Sequence, residues 1–258
     1  MTPHRPPSPA IILLSVAGFV VFWAVLAWLR ADSSVLPGPS AVMAKIAEEM
    51  ASGKLLYHMG ATLARVAAAF GIAMVLGTVI GVAMGQSEAL DRWFGAWLVI
   101  FLNIPALVVI VLCYLWIGLN ETAAITAVAL NKTAMVAVTL REGMYARDTK
   151  LADMAQAFRM SPLARLRHVT LPQLWPYFAA STRNGLAIIW KIVLVVEFLG
   201  RGNGVGFQIH LYFQLFDIET VLAYALSFVV VMLAIEYGII GLLERRATRW
   251  RGTQPAVA

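Results

Sequence analysis

At 258 residues the chain is 60% hydrophobic and only 13% charged, with a mean hydropathy of +0.78, too apolar for a soluble domain, where roughly a quarter of residues are charged. Its net charge of +6 would suit a nucleic-acid partner, but in a membrane chain an excess of Lys and Arg reports orientation across the bilayer. The single cysteine, Cys113, lies in an apolar run and excludes an intramolecular disulfide framework or a thiolate metal cluster.

A span needs roughly 20 apolar residues, and the sequence predicts an all-α polytopic membrane protein with about six transmembrane helices. After a Pro-rich tail over residues 1–9, the first runs from Ala10 to Leu29 and is too long for a signal-peptide core. Leu36-Pro37-Gly38-Pro39-Ser40 is a turn cluster, followed by helical spacing over Ala41 to Met50. The second span, Ala61 to Met84, carries Gly77 and Gly81, with Gly85 just beyond; this bare stripe predicts close approach of another helix. Trp97 to Ile117 and Thr122 to Leu140 are the third and fourth spans, and Tyr177 to Leu199 is the fifth. An outer segment over Gly202 to Gly206 reads as a flexible gate, Val221 to Leu243 is the sixth span, and residues 244–258 form a basic tail.

With the N-terminus placed in the cytoplasm, the inner segments hold twelve Lys and Arg and the outer loops hold four: Arg30, Lys45, Lys54 and Arg201. The inner set is Arg5, Arg92, Arg141, Arg147, Lys150, Arg159, Arg165, Arg167, Arg245, Arg246, Arg249 and Arg251. The bias predicts both termini in the cytoplasm, in a multi-pass permease domain over residues 10–243.

The polar interruption at about 148–172 is then cytoplasmic. Leu151, Met154, Ala155 and Phe158 follow the i, i+3, i+4, i+7 template of an amphipathic helix whose apolar face needs a partner. Ser161-Pro162 reads as an N-cap and first-turn proline, so a second short helix starts there with its own axis; Leu171-Pro172 stops it. Trp175, Pro176 and Tyr177 mark the interface before the fifth span.

Spacing through this loop resembles the permease subunits of bacterial ABC importers. Their pattern is Glu-Ala-Ala, three residues, Gly, nine residues, Ile, one residue, Leu-Pro. Here it is Asp153-Met154-Ala155, three residues, Arg159, nine residues to His168, Val169, Thr170, Leu171-Pro172. Within those permeases the chain is similar to the nitrate, sulfonate and taurine type, through Leu36 to Ser40, Ile104-Pro105-Ala106, Gly118 to Glu121, Glu197 to Gly200 and Asn203 to Gly206. The resemblance implies a non-catalytic translocation subunit of the bacterial inner membrane and a homodimer, working with an external substrate-binding protein and a separate ATPase. In it, Ala155 and its apolar neighbours Leu151, Met154 and Phe158 would seat the coupling helix in the ATPase. Asp153 would contact or orient that partner, with Arg159, Ser161, Leu171 and Pro172 completing the element. No Gly-x4-Gly-Lys-Ser/Thr occurs, so nucleotide hydrolysis falls to the partner, and no cofactor is expected in this chain.

Asp153 and Arg159 depart from the family's Glu and Gly. Because Gly admits positive φ and Arg resists it, the bend is expected at Met160-Ser161, or the partner groove differs. Asn131-Lys132-Thr133 is a third departure, where the family often has an apolar residue and proline.

Charges inside spans usually face a cavity or partner. Arg183, Trp190 and Glu197, spaced by seven, fall within about 40° on an ideal helix. With Lys191 and Lys132 they predict a polar seam favouring an anion, or else snorkelling and interhelical hydrogen bonds. Arg65 and Glu236 read as structural. His4, His58, His168 and His210 have no metal-ligand spacing, and no catalytic constellation is present. Two functions follow: an ATP-driven importer subunit for a small, anionic solute, or an ATP-independent secondary transporter or channel using the seam. The docking elbow favours the first.

Overall fold

The computed structural model describes residues 9–30, 32, 35–236 and 238; the basic tail, Arg5 and the end of the sixth predicted span lie outside them. Every regular element among the described residues is helical.

Helix α1 (Pro9–Arg30) packs little against the rest: its Leu13–Arg30 stretch has no residue buried within the chain, so lipid or another chain must cover it. Trp23 Nε1 donates to Pro37 O at 3.1 Å, tying α1 to the Pro-Gly-Pro turn. That turn leads into α2 (Pro39–Ala51), whose buried Glu49 accepts from Tyr224 Oη at 2.8 Å.

The centre is built from α3 (Lys54–Gln86), α6 (Glu121–Tyr145) and α9 (Leu171–Gly200). The glycine stripe of α3 meets α6: a Cβ on Gly77 would lie 2.5 Å from Val136 Cβ, and one on Gly81 2.9 Å from Leu140 Cβ. Gly85 faces Met144 in the same way. Bare glycine lets the two backbones approach to a distance any side chain would prevent. Asn120 caps α6 by accepting from Ala123 N at 2.9 Å.

The third predicted span is corrected by the structure. It divides into α4 (Glu88–Asn103) and α5 (Ala106–Ile117), which meet at 97°. Pro105 lacks an N–H and forces Ile104 out of helical geometry, to φ −70° and ψ 123°. Among the described residues, four helices are long and apolar enough to cross a membrane, or five if this bent pair counts as one span. The fifth predicted span is a continuous 30-residue helix, α9, which lies outside that set.

After α6 come α7 (Thr149–Ala157) and α8 (Pro162–Arg165). The expected stop at Leu171-Pro172 does not occur. A wide π turn over Leu166–Thr170, closed by Leu171 N donating to Leu166 O, runs straight into α9 with Pro172 in its first turn. Widening the turn displaces the preceding carbonyls that the proline ring would otherwise strike. Two further helices, α10 (Val205–Gln214) and α11 (Ile218–Ile235), complete the bundle.

Candidate functional site

Two polar assemblies stand out. The first lies at the bundle end that carries residues 201–206. Glu197 of α9 is fully buried and accepts from Arg65 Nη1 at 2.6 Å, Thr62 Oγ1 at 2.9 Å and Gly206 N at 2.9 Å. Arg65 of α3, also buried, donates Nε to Glu121 Oε1 at 2.6 Å and Nη1 to Asn203 O at 2.9 Å, and its Nη2 reaches Asn203 Oδ1. Glu121, at the start of α6, also pairs with Arg201 at 2.6 Å, and Arg201 donates to Leu119 O at 3.1 Å. Two carboxylates and two guanidiniums make this cluster formally neutral, which is how a low-dielectric interior tolerates charge.

The segment expected to be a flexible gate, 202–206, is tied into this cluster from Asn203 onward. Gly204 N donates to His58 Nδ1 at 3.1 Å, Val205 N to Thr62 Oγ1 at 2.9 Å and Gly206 N to Glu197. Gly204, at φ +112°, sits so close to the Glu197 carboxylate that no Cβ fits. With Nδ1 accepting, His58 carries its proton on Nε2, 2.5 Å from the Gln208 amide. Rotating that amide would let Oε1, otherwise without a partner, accept it.

Lys132 behaves differently. Midway along α6 and 1% exposed, it packs against Gly185 of α9, its Nζ reaching Met135 Sδ at 2.6 Å and Asn184 O at 3.5 Å. No carboxylate pairs with it among the described residues.

The predicted seam therefore splits. Trp190 turns inward onto Phe228 of α11, ring centroids 5.8 Å apart, and Glu197 enters the Arg65 cluster, whereas Arg183 and Lys191 are exposed. Ideal geometry puts Arg183, Trp190 and Glu197 on one face, but α10 packs on the second half of α9 and Phe228 of α11 meets Trp190, so that face is buried there and exposed at Arg183. Lys132 and Glu197 are not brought together: Gly185, beside Lys132, is twelve residues below Glu197, about 18 Å along the helix.

The second assembly is the elbow. Asp148 caps α7 by accepting from Lys150 N at 2.8 Å, and Gln173 fastens it by accepting from Asp148 N at 2.7 Å while donating to Val169 O at 2.9 Å. Arg159 takes the left-handed conformation, φ +49°, that the family's glycine would supply. Around it Met160 N donates to Ala155 O at 2.9 Å and Arg159 N to Gln156 O at 3.0 Å, the paired bonds of a Schellman closure. The bend is thus at Arg159 itself, not displaced to Met160-Ser161. Ser161 caps α8 as expected, accepting from Ala164 N at 3.3 Å.

Leu151, Met154 and Phe158 present 38%, 41% and 76% of their surface, and Asp153 is exposed beside them. Ala155 is the exception: at 1% exposure it is turned into the chain's own body, so it cannot itself meet a partner in this conformation. Leu171 is exposed and Pro172 half-buried, at the root of α9.

The sequence reading missed Arg65 and Glu121 as the centre of the buried cluster. An arginine inside a long apolar helix was the available signal, but its partners lie 56 and 132 positions away.

The family model for binding-protein-dependent transport system inner membrane components matches residues 59–249. An aliphatic sulfonates transport permease protein of Bacillus subtilis is 29% identical, the match covering 93% of this chain and 87% of that one. The taurine transport system permease protein of Escherichia coli is 26% identical, with 96% and 93% covered. A bicarbonate transport system permease protein of Synechococcus elongatus is 24% identical, with 92% and 86% covered. An inward-facing structure of the MetNI methionine ABC transporter shares the fold at TM-score 0.67 and 19% identity, over 78% of this chain and 99% of that one.

Proposed function

The chain belongs to the family of binding-protein-dependent transport system inner membrane components, and from that premise we propose that it moves a small anion of the sulfonate, taurine or bicarbonate class between two copies of itself. It is the non-catalytic membrane component of an ABC importer, and the alternative of an ATP-independent carrier gives way to that membership. In this reading the elbow is cytoplasmic, together with both termini. The ATPase receives Leu151, Met154 and Phe158 of α7, with Asp153 and the Arg159 turn setting the angle, and the binding protein delivers solute at the Arg65 end.

The observation that carries the reading is the open face of α9. Arg183, Asn184, Ile188, Lys191 and Val195 are exposed in the middle of a helix long enough to cross a bilayer. Lysine facing hydrocarbon at that depth is strongly unfavourable, so the stripe must face water or protein. A second copy set against it would enclose a path with the cations of both chains, and Lys132, buried behind Gly185 with no carboxylate partner among the described residues, keeps the local field positive. Such a field attracts anions and repels cations.

Ile188→Cys tests it, because the one native cysteine, Cys113, is buried and does not interfere. Oxidation in membranes should yield a disulfide-linked dimer, and Lys191→Gln should lower uptake of labelled sulfonate or taurine about tenfold, the effect of roughly 1.4 kcal/mol. A chain that remains monomeric on oxidation and transports normally with Lys191 neutralised would refute the proposal.

A further inference from the structure

Between the elbow and the end of α3 lies an open cavity of about 520 Å³, within the roughly 300–1,000 Å³ range of small-molecule sites. Gln86, Arg147, Arg165 and Thr170 give it a polar side; Met160 and Leu166 give it an apolar one. Both arginines line it, and neither has an ion-pair partner among the described residues. The nearby carboxylates are otherwise engaged: Asp148 caps α7, Asp91 pairs with Arg141 and Glu88 with Arg92.

The walls are built before any ligand arrives. Arg147 is partly buried and held by its Nε donating to Met144 O at 2.9 Å, leaving its terminal nitrogens for the cavity. Burial, and then the neighbouring Arg165 charge, push the Arg147 guanidinium below the usual arginine range. Met160 is fixed by the Schellman closure, and Thr170 by the wide turn that Gln173 ties to Asp148. Depth is set by tryptophan. Trp175, 43% exposed and stacked on Phe178, lies five residues into the membrane from Thr170, about 7 Å. Tryptophan concentrates at the headgroup boundary, so the cavity opens at the level of lipid phosphates.

We propose that this cavity binds a phosphate group, held by Arg147 and Arg165 together, and that its source is the headgroup of an anionic phospholipid in the adjacent leaflet. Two guanidinium forks around one pocket suit the tetrahedral oxygens of phosphate, and the apolar wall of Met160 and Leu166 suits the glycerol and acyl roots beside it. A lipid seated there would fasten the elbow to the membrane. This rests on the membrane reading of the chain and not on the identity of the solute.

The test uses the purified full chain in mixed micelles of phosphatidylglycerol and phosphatidylcholine in equal amounts, with retained lipid counted by native mass spectrometry. The native chain should retain phosphatidylglycerol over phosphatidylcholine by about thirtyfold, from two cations at roughly 1 kcal/mol each. Arg147→Gln with Arg165→Gln should bring the ratio near one, and Arg165→Gln alone, at an exposed position that leaves packing untouched, should fall between. Arg92→Gln, outside the cavity, should leave it unchanged. A second arm adds inorganic phosphate without lipid. Arginine-dependent binding of phosphate, with no preference for phosphatidylglycerol, would keep the phosphate site and replace the lipid with a soluble ligand. Equal retention by the native and double-variant chains overturns the proposal. So does a double variant that keeps its phosphatidylglycerol but no longer recovers the ATPase, since the arginines would then meet carboxylates of that partner.

Discussion

Arg159→Gly isolates the strain stored in the elbow. An L-residue in the left-handed helical region is less stable by roughly 1–2 kcal/mol, and Arg159 is held there, at φ +49°, by the two hydrogen bonds that close α7. Its side chain is exposed and forms no ion pair among the described residues, so truncation forfeits no contact. Against the relieved strain stands the greater freedom of glycine in the unfolded chain, roughly 0.5–1 kcal/mol. The balance is a gain of about 0.5–1 kcal/mol, which corresponds to about two- to fivefold greater protection of the closure. Hydrogen exchange over residues 155–161, corrected for intrinsic rates, reads the Arg159 and Met160 amides that donate to Gln156 and Ala155. Arg159→Ala is the control: it removes the charge but keeps a Cβ, and should exchange as the native chain does. Equal protection in the Gly and Ala variants would refute the argument, because the effect would then belong to the arginine side chain and not to φ.

Glu197→Gln should lower stability by about 3 kcal/mol, because Arg65 and Arg201 would then share Glu121 alone and the buried cluster would carry an uncompensated positive charge. Glu121→Gln, half-exposed and shared with Arg201, should lose no more than about 1 kcal/mol; thermal unfolding in detergent should preserve that order. Gly77→Ala should destabilise by about 1–3 kcal/mol through overpacking, since its Cβ would meet Val136 Cβ at 2.5 Å, whereas Gly71→Ala, with nothing near, should be neutral or stabilising in the same assay. Phe158→Asp, at a 76% exposed position, should leave the melting temperature unchanged yet abolish recovery of the ATPase in a pull-down; undiminished recovery would remove α7 from the interface.

What the sequence disclosed was local. Ser161-Pro162 starts a helix because a hydroxyl at the N-cap and a proline at the first helical position act within three residues, and the glycine stripe predicts close approach because helical periodicity alone puts it on one face. The break at Pro105 was legible from the same chemistry but was outweighed by the apolar runs on both sides, which read identically for a straight span and for two helices meeting at 97°. The Arg65 cluster was not legible: its members come from α3, α6, α9 and the 201–206 loop, and no spacing rule links Arg65 to a carboxylate 132 residues away.

Arg159 and Lys132 departed from the family pattern in the sequence, and the structure separates the two cases. At Arg159 the backbone geometry is retained against the residue's preference, because two amide bonds, a capped α7 and a fastened Asp148 determine the turn from outside. The strain is local and a single glycine removes it. At Lys132 the helix is undisturbed and the difficulty is charge, an ammonium buried against Gly185 with one distant carbonyl and a thioether. Nothing local offsets that desolvation. Lys132→Met should therefore raise the melting temperature, since it leaves no opposite charge stranded, while lowering anion uptake. A variant that melts earlier would show that the ammonium has a structural partner, and the positive field behind α9 would lose its basis.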